Sequence, residues 1–525
     1  MGASVVGALS SARAAALDVV CEVRRRRGRV RDVLRCSGEV EALDPRDRAL
    51  TTRLAVGAVR ASGTLDGIVR SHVTRGHLEP RLADALRVST FEILFLDTPA
   101  QVSVSQGVSL AASVAPRARG LANAILRRVA AEDLPRIGEA RERLQALVSL
   151  EDDQRIEGVE PTGKYGLSDG RFSSAGASEP SSALVADISL AGCLPQWLAE
   201  EVVASLGPAL GASLALRALE PPAATVALNP SLGEGLSLEA LSAAALDESP
   251  LPWPGAYRLG RQAGLARSGL VRAAKVLPCD LAAQVVAWTA ASCACGTADR
   301  PARLLEVGQG RATKTILMAG AAQSWARTLD ICSVELEESK VRLACERLRA
   351  AAVADCCKSF ALDATSLSDD DMPMPLQEPF DVVFVDAPCS GSGTLRRHPE
   401  IAWSLSRDAV RHAGSLPALQ LEILTAAASR VAPGGELLYS TCSILVSEDV
   451  EVVQAFLNSE KGSDFRLASV TDAPIASGLR PEEADLLGHM VSADGMFRSS
   501  RGTLFGIDCD GHFLARLVRT GGTEP

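Results

Sequence analysis

Two cysteines sit where a thiol could do chemistry. Val385-Asp386-Ala387-Pro388-Cys389-Ser390-Gly391-Ser392-Gly393-Thr394 and Leu438-Tyr439-Ser440-Thr441-Cys442-Ser443 each place a Cys just past an apolar run that reads as a buried strand, in a polar turn rich in Gly or Ser. A thiolate is a nucleophile, and the carboxyl of Asp386, three residues ahead of Cys389, is placed to exchange hydrogen bonds with whatever that nucleophile attacks. Most buried thiols pack as small hydrophobes, and Cys21, Cys345 and Cys356 take that reading. The 13 cysteines are odd in number and scattered, which fits reduced thiols in a cytoplasmic chain rather than a disulfide framework.

A second group of residues suits a nucleotide. Leu304-Leu305-Glu306-Val307-Gly308-Gln309-Gly310 is an apolar strand running into an acid and two glycines. Glycines let backbone approach a ligand, and the start of a following helix offers free N–H donors. The next strand ends in Ser333-Val334-Glu335, 27 residues beyond Gly308, where a carboxylate suits ribose hydroxyls; the third ends in Leu362-Asp363-Ala364, placed to accept from an adenine amino group. Each acid alone reads as a solvated loop carboxylate; three on successive strand ends point to an adenosine-containing cofactor. The glycine loop is too short for G-x-G-x-x-G, so S-adenosylmethionine fits better than a dinucleotide. No metal site is expected. A methyl donor, a thiol and a carboxylate together suit one reaction. Carbon 5 of cytosine is a poor nucleophile until a thiolate adds at carbon 6 and a hydrogen-bond donor stabilises the charge at N3; it can then attack a sulfonium methyl.

The elements that must position these groups are legible from about residue 278 onward. Strand candidates Arg303–Val307, Thr328–Val334, Ser359–Leu362, Asp381–Asp386, Glu436–Thr441 and His512–Leu517 alternate with helical segments Lys340–Ala350, Leu419–Val431 and Glu448–Leu457. This rhythm predicts an α/β fold with a doubly wound, Rossmann-like sheet, in which ligands bind at the carboxyl ends of the strands. The first 135 or so residues read as helices, with Leu17/Val20/Cys21, Leu50/Leu54/Ala58, Leu82/Ala85/Leu86/Ile93 and Leu121/Ile125/Val129 at helical spacing. The expected organisation is a helical domain over 1–140, a linker or insertion over 141–183, a small mixed bridging unit over 184–277 and a catalytic domain over 278–520.

Charge divides the same way. The first 130 residues hold 20 Arg, no Lys and 12 carboxylates, a net +8, whereas the rest carries −18 of the overall −10. A basic end on an acidic chain suggests a polyanion partner, with a solvated Arg-rich surface as the plainer reading. No apolar run approaches the ~20 residues that span a bilayer, and an apolar content of 47% excludes a disordered chain. The start, Met1-Gly2-Ala3-Ser4-Val5-Val6, lacks the positive region of a secretory signal, and Val6 breaks the myristoylation pattern.

Asp386-Ala387-Pro388-Cys389-Ser390, Leu395-Arg396-Arg397-His398-Pro399-Glu400 and Ser440-Thr441-Cys442-Ser443 resemble the bacterial ribosomal RNA small-subunit methyltransferase B family (RsmB/Sun-like). Asp510-Gly511-His512-Phe513-Leu514-Ala515-Arg516-Leu517 is similar to that family's terminal strand, and Asn123-Ala124-Ile125-Leu126-Arg127-Arg128 to its NusB-like helical RNA-binding domain. The resemblance implies a class I methyltransferase domain behind a NusB-like domain, using S-adenosylmethionine on a single-stranded or loop cytosine of ribosomal RNA (16S); a monomer is expected. It implies that Cys442 is the nucleophile, that Cys389 assists product release, and that Asp386 contacts the base. Glu335 and Asp363 match positions that bind ribose and adenine, and Gly308–Lys314 (Gly308, Gln309, Gly310, Arg311, Ala312, Thr313, Lys314) matches the cofactor loop. There the family shows a Pro-Gly-Gly run, whereas this chain has Gln309-Gly310-Arg311-Ala312-Thr313. Arg311 either meets the methionyl carboxylate or lies in solvent. Arg127, Arg128, Arg396, Arg397 and His398 are candidate RNA contacts through phosphates. Two alternatives stand beside this reading: the same chemistry on transfer RNA, and a non-catalytic RNA-binding factor with a degenerate methyltransferase domain.

Overall fold

The computed structural model describes residues 9–73, 76–156, 165–168, 171–174, 181–260, 264–294, 300–411 and 415–520. Contacts divide the chain into two units: 1–162, 178–221 and 395–406 in one, and 163–177, 222–394 and 407–525 in the other.

The first unit is helical. Its core comes from helices that the sequence starts and stops clearly. Asp44 caps Pro45–Arg60 by accepting from the Arg46 and Asp47 N–H groups, with Pro at the first helical position. Leu54, Ala55 and Ala58 of that helix are buried, and Gly57 lies flush against the Phe91 ring of Pro80–Phe95, where a methyl group would collide. Leu17, Leu65, Leu86, Leu110, Ile125 and Leu126 complete the core. Leu121, expected on this face, is exposed; the buried face of Arg119–Arg128 is Ala122, Ile125 and Leu126 instead, one position further round the helix. Three more helices, Ser182–Gly192, Gln196–Leu206 and Pro208–Arg217, belong to this unit.

The stretch expected as a linker over 141–183 begins inside a helix, Leu134–Ile156, and contains an antiparallel hairpin of Tyr165–Ser168 with Arg171–Ser174. Its remainder, 157–164, 169–170 and 175–180, lies outside the described residues. The segment read as a bridging unit, 184–277, is shared between the two units. Its first three helices fall with the N-terminal ones, whereas Glu234–Ala243 falls in the second unit. Ala224–Leu228 joins Glu248–Pro250, Ala256–Leu259 and Val276–Pro278 in a four-stranded antiparallel sheet of the second unit.

The second unit is built on a sheet of β1 (Ala302–Val307), β2 (Leu329–Glu335), β3 (Cys357–Ala361), β4 (Phe380–Asp386), β5 (Val431–Thr441), β6 (Phe465–Ala468) and β7 (Phe513–Arg519). Their order is β6-β7-β5-β4-β1-β2-β3, and the two-residue strand Phe497–Arg498 also pairs with β7. β1 to β5 are parallel, and β7 runs antiparallel between β5 and β6. Both faces are covered, which is why the strands read as unbroken apolar runs. Leu304, Ile331, Val382, Phe384 and Leu438 face helices Leu281–Cys293 and Thr313–Ser324. Leu305, Cys332, Val383, Val385 and Tyr439 face Leu416–Ala428 and Val450–Leu457. The helix expected to start at Glu448 starts at Val450, because Glu448 lies in the preceding turn, its N–H on the Leu445 carbonyl. The helix expected to reach Val431 stops at Ala428, and Val431 already pairs with Phe380.

Candidate active site

In the order 3-2-1-4-5 the chain winds outward in one direction from β1 and in the other from β4, so the crevice for a ligand opens at the carboxyl ends of these two neighbours. The sequence puts Glu306, Gly308 and Asp386 there.

The loop after β1 is held from beneath and from the side. Gly308 has φ +88°, and a Cβ would press on the Asp386 carbonyl oxygen, so only glycine lets β1 and β4 end this close together. Gly308 and Gln309 N–H groups bond the Val334 carbonyl of β2 (3.0 and 3.2 Å), and Gly310 N–H donates to Glu335 Oε2 (2.9 Å). Glu335 Oε1 accepts from Glu337 N–H (3.2 Å), and Lys340 Nζ stands 3.5 Å away. Ala312, in the left-handed region at φ +56°, starts the helix Thr313–Ser324. Asp363 is exposed and caps the turn after β3 through Oδ1, which accepts from the Thr365 N–H and hydroxyl. Arg311 is exposed, and its carbonyl accepts from Arg347. Gln309 is buried, and both polar atoms of its amide lack a partner. A loop with an orphaned buried amide, flanked by the Glu335 and Asp363 carboxylates, fits a ribose- and adenine-bearing cofactor with a charged tail.

Glu306, expected to touch the cofactor, is instead a support beneath the loop. It is fully buried, and Oε2 accepts from Thr315 Oγ1 (2.6 Å) and Ser333 Oγ (2.8 Å), which ties β1, β2 and the helix Thr313–Ser324 together. Burial pushes its carboxyl from 4.5 up to about 7 against the pull of those two hydroxyls. The folded chain therefore binds a proton that the unfolded chain has released between these values. Its contribution to stability is full below 4.5 and lost as pH rises through 7. Relative to E306Q, the wild-type protein should lose up to about 3 kcal/mol between pH 4.5 and 7, at about 1.4 kcal/mol per unit. Denaturant unfolding of both proteins across that range checks it; parallel curves would show that Glu306 does not titrate there.

β4 and β5 bring the two thiols together. Asp386 pairs with Ser440 in the parallel register, and the loops leaving these partners set Cys389 Sγ 3.2 Å from Cys442 Sγ. The Cys389 hydrogen bond, helped by the Lys314 ammonium, holds Cys442 below the ordinary thiol range despite its burial. Cys389 is pushed well above that range by the same hydrogen bond, by burial and by the charges of Cys442 and Glu448. The two directions favour Cys389 as donor and Cys442 as acceptor in the hydrogen bond between them. Lys314 Nζ donates to Asp386 Oδ2 at 2.6 Å. Burial pulls this ammonium down, but Asp386 more than restores it and the net direction is upward.

Sequence reasoning missed two neighbours. Glu448 is fully buried, with its carboxylate between the loops that follow the two cysteines. A Ser-Glu-Asp triplet beginning five residues after a reactive Cys was the available signal, masked by its place at a helix start. His512 is buried with Nδ1 unpartnered. Burial pushes its imidazole down to about 4, with Lys314 acting in the same direction. The next residue back, Gly511, donates its N–H to the Gly393 carbonyl in the Cys389 loop (2.8 Å).

The candidate RNA contacts lie in the helical unit. Arg127 and Arg128 are exposed at the end of Arg119–Arg128. Arg396 is spent on backbone: its guanidinium donates to the carbonyls of Glu220 (3.5 Å) and Pro221 (3.1 Å), and its own carbonyl accepts from Arg60 (2.6 Å). The Arg397 carbonyl accepts from Arg31 (3.2 Å), and His398 lies 3.9 Å from Glu400. Burial lowers the His398 pKa, with Arg29, Arg31 and Arg397 adding to it. Among the described residues no cluster of three or more His, Cys, Asp or Glu side chains is placed to hold a metal ion, and no single helix is long and apolar enough to cross a membrane.

Residues 309–500 match the family model described as 16S rRNA methyltransferase RsmB/F, and residues 10–131 match the NusB family. A candidate methyltransferase, MT1451, of Mycobacterium tuberculosis (strain CDC 1551 / Oshkosh) is 28% identical over 94% of this chain and 96% of its own length. Ribosomal RNA small subunit methyltransferase B of Enterobacter sp. (strain 638) is 36% identical over 27% of each chain. The crystal structure of PH0851 superposes with a TM-score of 0.64 at 17% identity, covering 98% of this chain and 99% of that one, and so shares the fold. With the RsmB/F match spanning both cysteine loops and the NusB match spanning the N-terminal helices, the chain carries an S-adenosylmethionine-dependent methyltransferase region of the RsmB/F type and a NusB-family region.

Proposed function

We propose that this protein methylates carbon 5 of a cytosine in ribosomal RNA through a transient bond between Cys442 Sγ and ring carbon 6. The observation that carries this reading is the approach of Cys389 and Cys442 to 3.2 Å beside the Lys314–Asp386 pair, at the strand ends that border the cofactor loop. S-Adenosylmethionine, when bound, supplies an electrophilic methyl group on a sulfonium. Gln309, Glu335 and Asp363 are the residues that would hold it.

The chain's own groups account for the rest. Cys442 adds as thiolate to carbon 6, and the electron pair of the C5–C6 double bond moves toward C5 with charge shared to N3 and O2. The Lys314–Asp386 salt bridge offers both a cationic N–H donor and a carboxylate acceptor. One edge of cytosine, with its N3 acceptor and exocyclic amino donor, requires that combination. After methylation, the C5 proton passes to a solvent water acting as base, the double bond re-forms as the C6–S bond breaks, and Cys442 departs as thiolate. The Cys389 thiol is placed to stabilise that leaving group. A stacked base cannot reach both a buried sulfur and the cofactor, so the cytosine must be unpaired or turned out. The exposed Arg127 and Arg128 would contact phosphates of the same RNA.

Bisulfite sequencing of ribosomal and transfer RNA from cells with and without the gene tests this. One ribosomal cytosine should lose its protection in the deleted strain. A change confined to transfer RNA, or none at all, would overturn the proposal.

A further inference from the structure

The mechanism makes no use of Glu448, a buried acid whose carboxylate accepts four hydrogen bonds. Glu448 Oε1 accepts from the Ser390 N–H (2.8 Å) and Gln420 Nε2 (3.1 Å), and Oε2 accepts from the hydroxyls of Ser390 (2.5 Å) and Ser443 (2.7 Å). Ser390 directly follows Cys389, and Ser443 directly follows Cys442.

Backbone groups fix the direction of this network. The Ser390 hydroxyl accepts from the Ser392 N–H (3.2 Å), and the Ser443 hydroxyl accepts from the Leu445 N–H (3.0 Å), so each has its proton free to give to the carboxylate. Ser392 Oγ accepts from the Ile444 N–H (3.1 Å) and meets Ser443 Oγ at 2.9 Å, a second bridge between the same loops. Gln420 also holds the Pro388 carbonyl (2.8 Å), on the other side of Cys389, and the Tyr439 hydroxyl donates to the Glu448 carbonyl (2.6 Å). Four donors converge on one anion, and both cysteine loops terminate on it. An acid this buried, with no cation within salt-bridge distance among the described residues, is costly unless every lone pair is used.

We propose that Glu448 is a positioning residue: its carboxylate clamps the Cys389 and Cys442 loops at the separation at which one thiol can donate to the other's thiolate. The proposal rests on the reading of the two cysteines as a reacting pair, and the clamp acts through Ser390 and Ser443 rather than on substrate. An amide at this position keeps the size of the side chain but replaces one acceptor oxygen with a donor. With the amide nitrogen on either side, one pair of donors, the Ser390 N–H and Gln420 amide or the two serine hydroxyls, loses its acceptor, and the sulfurs separate.

The test reads the thiols directly, in the full chain, by the pH dependence of iodoacetamide alkylation with mass-spectrometric assignment of the site. The titratable groups facing Cys442 include Lys314, Asp386, Cys389, Glu448 and Asp449, and of these only Glu448 is changed. Loss of the Glu448 charge by itself would move Cys442 downward, so an upward shift can come only from the lost Cys389 hydrogen bond; E448Q should shift the midpoint of Cys442 alkylation upward by about one pH unit, or about tenfold slower labelling below the midpoint. S-Adenosylmethionine affinity should stay within about twofold, as Glu448 does not border that loop. S443A, which removes a single donor, should shift it in the same direction by less. It serves if E448Q does not fold. A folded E448Q, or S443A in its place, that labels Cys442 with the wild-type pH profile would overturn the clamp. A wild-type Cys442 that titrates as an ordinary thiol would instead overturn the paired-cysteine reading, and the clamp with it.

Discussion

C442A is expected to abolish methyl transfer to RNA, by roughly 10⁴-fold or more, while S-adenosylmethionine still binds. Removal of a covalent nucleophile acts on that scale because no other group shares its step. The cofactor loop should be untouched: its backbone bonds run to Val334 and Glu335, and none runs to Cys442. Transfer of labelled methyl groups to ribosomal RNA and calorimetric titration of the cofactor measure the two halves separately. Turnover within about tenfold of wild type would refute Cys442 as nucleophile, and the covalent route with it.

The second expectation is an accumulation. In C389A the nucleophile, the Lys314–Asp386 pair and the cofactor loop all remain, so addition and methylation proceed, but the leaving sulfur no longer accepts from a thiol 3.2 Å away. A thiolate of higher pKa is a poorer leaving group, and protein should collect as a methylated adduct on RNA. A denaturant-resistant band should appear with C389A and be absent with the C389A/C442A double variant. An unshifted C389A under conditions that methylate RNA with the wild-type protein would count against its part in release.

Much of the second unit was legible because its chemistry is written along strands. A doubly covered parallel sheet demands unbroken apolar runs, and Leu304–Val307 and Val382–Val385 are such runs, ending where the ligand crevice must open. The approach of Cys389 and Cys442 follows from the strand register, Asp386 beside Ser440, although the two lie 53 residues apart. Glu306 was misassigned because one strand end serves two purposes: a carboxylate there reads as ligand-facing, whereas Thr315 and Ser333 claim it from below. Glu448 escaped notice because its meaning lies in four donors from three separate segments, which no local spacing encodes. The same holds for Arg396. Its neighbours suggest a phosphate clamp, but the carbonyls of Glu220 and Pro221 take its guanidinium.

The excursion 395–406 has an implication for how the chain is made. Trp403 lies flush on Gly63, where even a methyl group would collide with the indole, and its Nε1 donates to the Arg60 carbonyl (2.7 Å); both partners leave the ribosome more than three hundred residues earlier. During synthesis the nascent helices must wait, unfinished, for a late-emerging piece of chain to seal them. A stop anywhere before codon 395 would release a helical unit lacking its last side chains, so that truncation products should be prone to capture by chaperones or proteolysis.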